Sequence, residues 1–353
     1  MTSTSNDTKK QKVVVICPGR GTYNKEELGY LQRFHSDKQS LLTTIDDYRN
    51  TQDQVSVSDL DNSDTFNLRI HSAGENASAL IYACAIADFA AINRDKYEIV
   101  AVTGNSMGWY ISLAAAGALS PQNAIHLINS MGNMVSQPLI GGQMIYPVMT
   151  ENWQPCDDSE TFLATQMSDV QQVDGCQVHL SIKLGGYWVI GGNTQGLNEL
   201  AKRLPQIDNR YPMKLFNHAA FHTPLLENVS QQAQQLLPVN LFTPPQLPMI
   251  DGEGHVWQPY HSDIYSLHHY TLATQVATPY NFTAAITTAL KEFAPDKLII
   301  LGPGNTLGGA VAQTLIKHQW QNMTNKEDFI DRQTSDPFIL AMGHPEQRQL
   351  VTS

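Results

Sequence analysis

Cysteine is scarce in this sequence: Cys17, Cys84, Cys156 and Cys176 form no CxxC pair and no framework spacing. That pattern speaks against a disulfide scaffold, and Cys17 and Cys84, in apolar stretches, read as buried reduced thiols. Cations are few as well, 22 Lys and Arg against 33 Asp and Glu, for a formal net charge of −11. Nonspecific nucleic-acid binding needs clustered cations, so no nucleic-acid partner is expected. Arginine is missing altogether between Arg94 and Arg203. No apolar run approaches membrane-spanning length, and residues 1–11 lack the apolar core of a signal peptide. The expectation is a cytoplasmic chain, monomeric, with no membrane partner. Internal repeats are absent too.

What is present suits a globular enzyme: 353 residues, 42% hydrophobic, 8% aromatic. Residues 12–17 (KVVVIC) read as a fully buried strand, followed by the turn Pro18-Gly19-Arg20-Gly21-Thr22. Residues 77–92 are apolar nearly all round, as in a helix packed inside a large fold. A second buried strand spans 97–103, and an alanine-rich helix runs to about Ala118. Between 141 and 210 the texture changes to short strands, turns and a helix near 197–204, which marks a small α+β insertion. The α/β pattern then resumes, with a late core strand at 297–301 (KLIIL). The expected organisation is therefore a disordered tail (1–11), a large α/β core (12–140 and 211–320), an inserted subdomain (141–210) and a loosely held C-terminal tail (321–353).

The sharpest local signal is Gly104-Asn105-Ser106-Met107-Gly108, a G-x-S-x-G between a buried strand and a helix. Such a turn is too tight for side chains beside the serine, and it projects the hydroxyl at the positive end of the following helix. The competing reading is a glycine-lined turn with an inert serine. A nucleophilic serine needs a base, and the sequence offers 12 histidines. His255, His261, His268 and His269 match no common metal spacing, so no metal site is expected. His222, in Asn217-His218-Ala219-Ala220-Phe221-His222-Thr223-Pro224-Leu225, follows small residues and precedes a proline-started helix. On local sequence alone a packed histidine capping that helix is the better reading. Neither glycine-rich loop reads as a nucleotide site: Asn24 replaces the third glycine of G-x-G-x-x-G, and 301–309 lacks the Lys-Ser/Thr of a P-loop.

Four separated segments, in order and approximate spacing, resemble the malonyl-CoA:acyl-carrier-protein transacylase family. Residues 17–22 (CPGRGT) are similar to the family's PGQGSQ loop, and 104–108 to its GHSLG turn. Residues 220–225 (AFHTPL) resemble its histidine segment, and 301–307 (LGPGNTL) its closing GPG loop. Residues 275–279 (QVATP) are similar to its QLYNP segment. The resemblance implies an α/β-hydrolase-like parallel-sheet core carrying a ferredoxin-like α+β subdomain. It also implies a Ser106–His222 dyad without a side-chain acid, the imidazole oriented by the main-chain carbonyl of Gln275. Backbone N–H groups of Arg20 and Met107 would form the oxyanion hole. The substrates implied are acyl-CoA and the phosphopantetheine of an acyl carrier protein, with no permanently bound cofactor.

Several positions depart from the family. Asn105 stands for histidine, Trp109 for glutamate and His71 for glutamine. The arginine that pairs with the malonyl carboxylate is replaced by Met131, in the arginine-free stretch. Met131, His71, Asn105 and Phe221 are the expected acyl pocket. Its apolar wall favours monocarboxylic acyl groups over malonyl unless another cation, such as Lys183, reaches the carboxylate. Lys202, Arg203, Arg210 and Lys214, set against Glu199 and Asp208, form the expected carrier-docking patch. The sequence thus favours an acyltransferase of fatty-acid or polyketide assembly. A thioesterase-like hydrolase on the same scaffold and a non-catalytic carrier-docking module are the alternatives. A general lipase lacks support, because no HGGG-like loop occurs.

Overall fold

The computed structural model describes residues 9–135 and 139–353, so residues 1–8 of the expected tail and residues 136–138 lie outside the described residues. The chain opens on β1 (Gln11–Cys17), in which Val13 to Ile16 are fully buried. Continuous β-branched burial is what a strand covered on both faces requires. β2 (Tyr97–Gly104) pairs parallel to it. Between them the helix Gly74–Ala91 buries residues on every side, as its uniform apolarity predicts. The helices Gly108–Ala115 and Pro121–Met134 follow β2.

The insertion contributes β3 (Gly142–Pro147), β4 (Val178–Leu184), β5 (Tyr187–Gly192) and β6 (Met213–Leu215), with helices Asp157–Gln171 and Thr194–Arg203. The spatial order β6-β3-β5-β4, antiparallel throughout, with helices after the first and third strands, is the βαββαβ ferredoxin-like arrangement. Its small core gathers Met144, Leu163, Val178, Ile190, Leu197 and Leu200. The fourth strand lies beyond the expected boundary at 210, because three residues at an edge leave too short a pattern to read.

The remaining strands are β7 (Met249–Ile250), β8 (Val256–Trp257), β9 (Tyr280–Asn281), β10 (Lys297–Ile300) and β11 (Ile339–Ala341). They complete a main sheet ordered β11-β10-β1-β2-β7-β8, parallel except for β8. β9 leaves the main body and pairs parallel with β4, which ties the subdomain sheet to the core. The fold is thus mixed α/β with two mixed sheets.

The expected loose tail 321–353 is corrected by the structure. It forms the helix Lys326–Ser335, strand β11 and the helix Pro345–Thr352. The physical reason is a buried cluster that polar composition concealed. Asp88 is fully buried, and its carboxylate accepts from Arg348 Nη2 (2.6 Å), Tyr30 Oη (2.8 Å) and the Gly302 N–H (2.7 Å). His35 Nε2 lies 2.7 Å from the same carboxylate. Arg348 Cζ stacks 4.2 Å from the Phe34 ring centroid. All four cysteines are unpaired, and Cys17, Cys84 and Cys176 are buried. Among the described residues no helix is long and apolar enough to cross a membrane, and no group of three or more His, Cys, Asp and Glu could hold a metal ion.

Candidate functional site

Ser106 sits where β2 turns into the helix Gly108–Ala115, with φ of +56°. The turn closes only because its neighbours lack side chains: a Cβ on Gly104 would meet Gly108 O at 2.3 Å, and one on Gly108 would meet Cys17 O at 2.3 Å. Tyr280 Oη donates to Gly104 O (2.6 Å) and Gln275 Nε2 to Ser106 O (3.0 Å), so the strained turn is held from behind.

Ser106 Oγ lies 2.6 Å from His222 Nε2. On the other side of the ring, Nδ1 lies 2.5 Å from the main-chain oxygen of Gln275. A carbonyl can only accept, so Nδ1 carries the hydrogen and Nε2 is left to accept from the serine. His222 itself adopts φ of +56°, and its N–H donates to Val276 O (3.1 Å). Burial lowers the imidazole pKa to about 4, against the raising effect of the Gln275 carbonyl, so the ring is neutral at physiological pH.

Two features of this arrangement were not foreseen from sequence. The Gln275 side chain works alongside its carbonyl, bridging Ser106 O and the Tyr110 hydroxyl (2.8 Å). The loop carrying His222 is also bound to the subdomain: His218 Nδ1 meets Gln143 Oε1 (2.8 Å), Gln143 Nε2 donates to Ser181 (2.7 Å), and Ser181 donates to Phe221 O (2.7 Å). Polar residues at inward positions of β3 and β4 were the available signal. Trp109, one of the noted departures, is fully buried and donates to Thr271 Oγ1 (3.0 Å), which packs the elbow helix against the segment leading into Gln275.

Two cavities meet at Ser106. A narrow one of about 50 Å³ is lined by Arg20, Met107, Ile128, Met131, Phe221 and Val276 among others, and is largely apolar. A wide cleft of about 560 Å³ runs between core and subdomain, past Asn105, Gln143, Tyr187, Arg210 and Thr306. Met131 and Phe221 both line the narrow cavity. Asn105 does not: it belongs to the wide cleft, because the turn directs it toward Gly19. His71 is also corrected. Its Nε2 lies 3.0 Å from Leu60 O, Nδ1 contacts the Asn67 main chain, and the ring stacks on Phe66 (4.9 Å), so it faces a separate side cavity. Lys183 lines neither cavity at Ser106 and lies 5.5 Å over the Trp188 ring.

The expected oxyanion donors, Arg20 and Met107, both border the narrow cavity, and neither main-chain N–H donates to another group among the described residues. The docking candidates are less uniform. Lys202 and Arg203 both pair with Glu199 (3.5 and 3.0 Å), and Lys214 Nζ donates to Asn198. Arg210 lies over the Tyr211 ring (5.3 Å) in the cleft wall.

A strand–serine–helix elbow thus faces a ferredoxin-like insertion, with the histidine held by a backbone carbonyl. No family profile matches the chain. By sequence it is similar to the malonyl CoA-acyl carrier protein transacylase of Bacillus subtilis, 25% identical over 210 residues. That match covers 59% of this chain and 62% of the relative, so it spans less than two thirds of the relative's length. The fold matches the malonyl-CoA:acyl carrier protein transacylase of Xanthomonas oryzae, with a TM-score of 0.73, 17% identity and 97% of both chains covered. It also matches a malonyl-transacylase solved in complex with its type II polyketide synthase acyl-carrier protein, with a TM-score of 0.68, 16% identity and 87% and 93% covered. The relatives it matches include malonyl CoA-acyl carrier protein transacylases and a phenolphthiocerol/phthiocerol polyketide synthase subunit of Mycobacterium tuberculosis, 22% identical over 65% of this chain and 15% of that relative.

Proposed function

We propose that the protein is an acyltransferase that carries acyl groups from coenzyme A through Ser106 to the phosphopantetheine thiol of an acyl carrier protein. The observation that carries this reading is the Ser106–His222–Gln275 carbonyl relay at the junction of a small apolar cavity and a wide cleft. The small cavity suits an acyl group and the cleft a pantetheine arm.

In the first half-reaction Ser106 Oγ attacks the thioester carbonyl while His222 Nε2 takes its proton. The developing oxyanion is met by the N–H groups of Arg20 and Met107. Collapse breaks the C–S bond, and His222 returns the proton to the departing thiolate. The carrier thiol then repeats the sequence in reverse, losing its proton to His222 and leaving Ser106 protonated. A carbonyl suffices where serine proteases use an acid, because a thioester is more electrophilic than an amide and demands less of the base.

Intact-mass measurement after incubation with a panel of acyl-CoA thioesters tests the reading. A single acyl adduct is expected, lost in Ser106→Ala. An adduct that survives that substitution sinks the assignment. Free acid released without carrier, at the rate of adduct turnover, marks hydrolysis instead of transfer.

The similarity to a transacylase solved with its carrier supports docking of an acidic partner on the cation patch of Lys202, Arg203, Arg210 and Lys214, of which Arg210 lines the cleft. Lys202→Glu with Arg203→Glu is expected to raise the apparent KM for carrier protein roughly tenfold, an effect that fades with salt. The KM for free pantetheine should stay unchanged. Equal effects on both acceptors would remove this patch from the docking surface.

A further inference from the structure

Arg20 borders the narrow cavity, the wide cleft and the side cavity beside Ser72, and no carboxylate pairs with its guanidinium among the described residues. Arg20 Nη2 donates to the carbonyl oxygens of Ser72 (2.9 Å) and Asn217 (3.1 Å). Its Cζ rests 5.4 Å from the Phe221 ring centroid. Nη1 is shielded from solvent and has no hydrogen-bond partner. Among the described residues Arg20 takes part in no ion pair. Burial lowers its pKa to about 10, with Glu75 opposing at longer range, so it stays charged at neutral pH. Nearby His218 is held neutral, its pKa lowered to about 3 by burial and then by Arg20. A buried charged donor left unmet is costly. An anion entering the cavity would meet both the donor and its charge.

The narrow cavity sets which anion can enter. Arg20 shares its lining with Ser106 and His222, and most of the remaining wall, including Met131, Ile128 and Val276, is apolar. At about 50 Å³ the cavity holds only a short chain. We propose that Arg20 is the specificity-determining residue of the site, its guanidinium pairing with the distal carboxylate of a short dicarboxylic acyl group attached to Ser106. Charge selection has thus moved from the helix position occupied by Met131 to the loop after β1. This rests on the acyl-transfer reading, and names the substrate class of the same site.

The test compares malonyl-CoA with acetyl-CoA as donors, read as the ratio of kcat/KM for Ser106 acylation. Arg20→Ala would open the wall toward the side cavity of about 180 Å³ lined by Leu68 and Phe216, so Arg20→Gln and Arg20→Lys are the informative variants. The wild-type ratio is expected to favour malonyl. Arg20→Gln should lower it by about 30-fold or more, whatever happens to the acetyl rate, and Arg20→Lys should recover part of the loss. A ratio unmoved by Arg20→Gln, or a wild type that prefers acetyl, overturns the proposal. Calorimetric titration of Ser106→Ala with the non-transferable amide analogues of malonyl- and acetyl-pantetheine reads the same selectivity without chemistry. A malonyl preference there that Arg20→Gln abolishes upholds Arg20 even if Ser106 never acylates, in which case only the transfer reading falls. Acylation that proceeds with no such preference removes the Arg20 proposal alone.

Discussion

With His222 replaced by alanine, Ser106 is expected to acylate about 10²–10⁴-fold more slowly, the usual contribution of a positioned general base. The loss should fall on kcat/KM for every acyl donor alike, because the base acts on the serine proton and not on the acyl chain. Its pH dependence is a second signature. The ring works in its neutral form, and burial has lowered its pKa to about 4. Lowering the pKa of a base extends the neutral form to lower pH. The wild-type acylation rate should therefore stay level from neutrality to about pH 5 and drop as pH falls through about 4. A limb centred on the ordinary histidine value would show a solvated ring and contradict the geometry. Near-normal acylation by His222→Ala would assign the base to another residue.

The second large effect is on stability. Arg348→Met leaves Asp88 buried with its strongest partner removed, and an uncompensated buried charge typically costs about 3–5 kcal/mol. Urea unfolding of this variant should show that loss as a lower midpoint with little change in slope. Asp88→Asn with Arg348→Met removes both charges together and should recover part of it. A loss under about 1 kcal/mol in the single variant would put the pair in the class of surface ion pairs and deny it a structural role.

The elbow was legible in the sequence because its residues fall in one short pattern. Gly104 is demanded by contact with Gly108, and Gly108 by the distant Cys17 and Pro18, yet both flank Ser106 within five residues. The buried strands at Val13 and Lys297 were legible for the same reason. The Gln275 carbonyl came only through family resemblance, since a main-chain acceptor leaves no mark in residue type. The role of the Arg20 side chain could not be read at all. Its partners, Ser72 and Asn217, are distant in sequence, and the loop's turn alone decides where the guanidinium points. Reasoning from Met131 sought the missing charge at Lys183, whereas the cavity is assembled from six separate segments, one of them the Arg20 loop. The C-terminal segment was misread because β11 is three residues long and its anchoring residue is an arginine, which composition assigns to solvent.

The Asp88 cluster also sets an order of events during synthesis. Asp88 and Tyr30 are made early, the Gly302 loop late, and β11 and Arg348 later still. A nascent chain lacking residues 339–348 exposes the edge of β10 and holds a carboxylate that should be buried beside no arginine. Unpaired strand edges are sticky. The core sheet is incomplete until β11 and Arg348 have been made, so a premature stop ahead of them should yield aggregate more readily than a truncated enzyme.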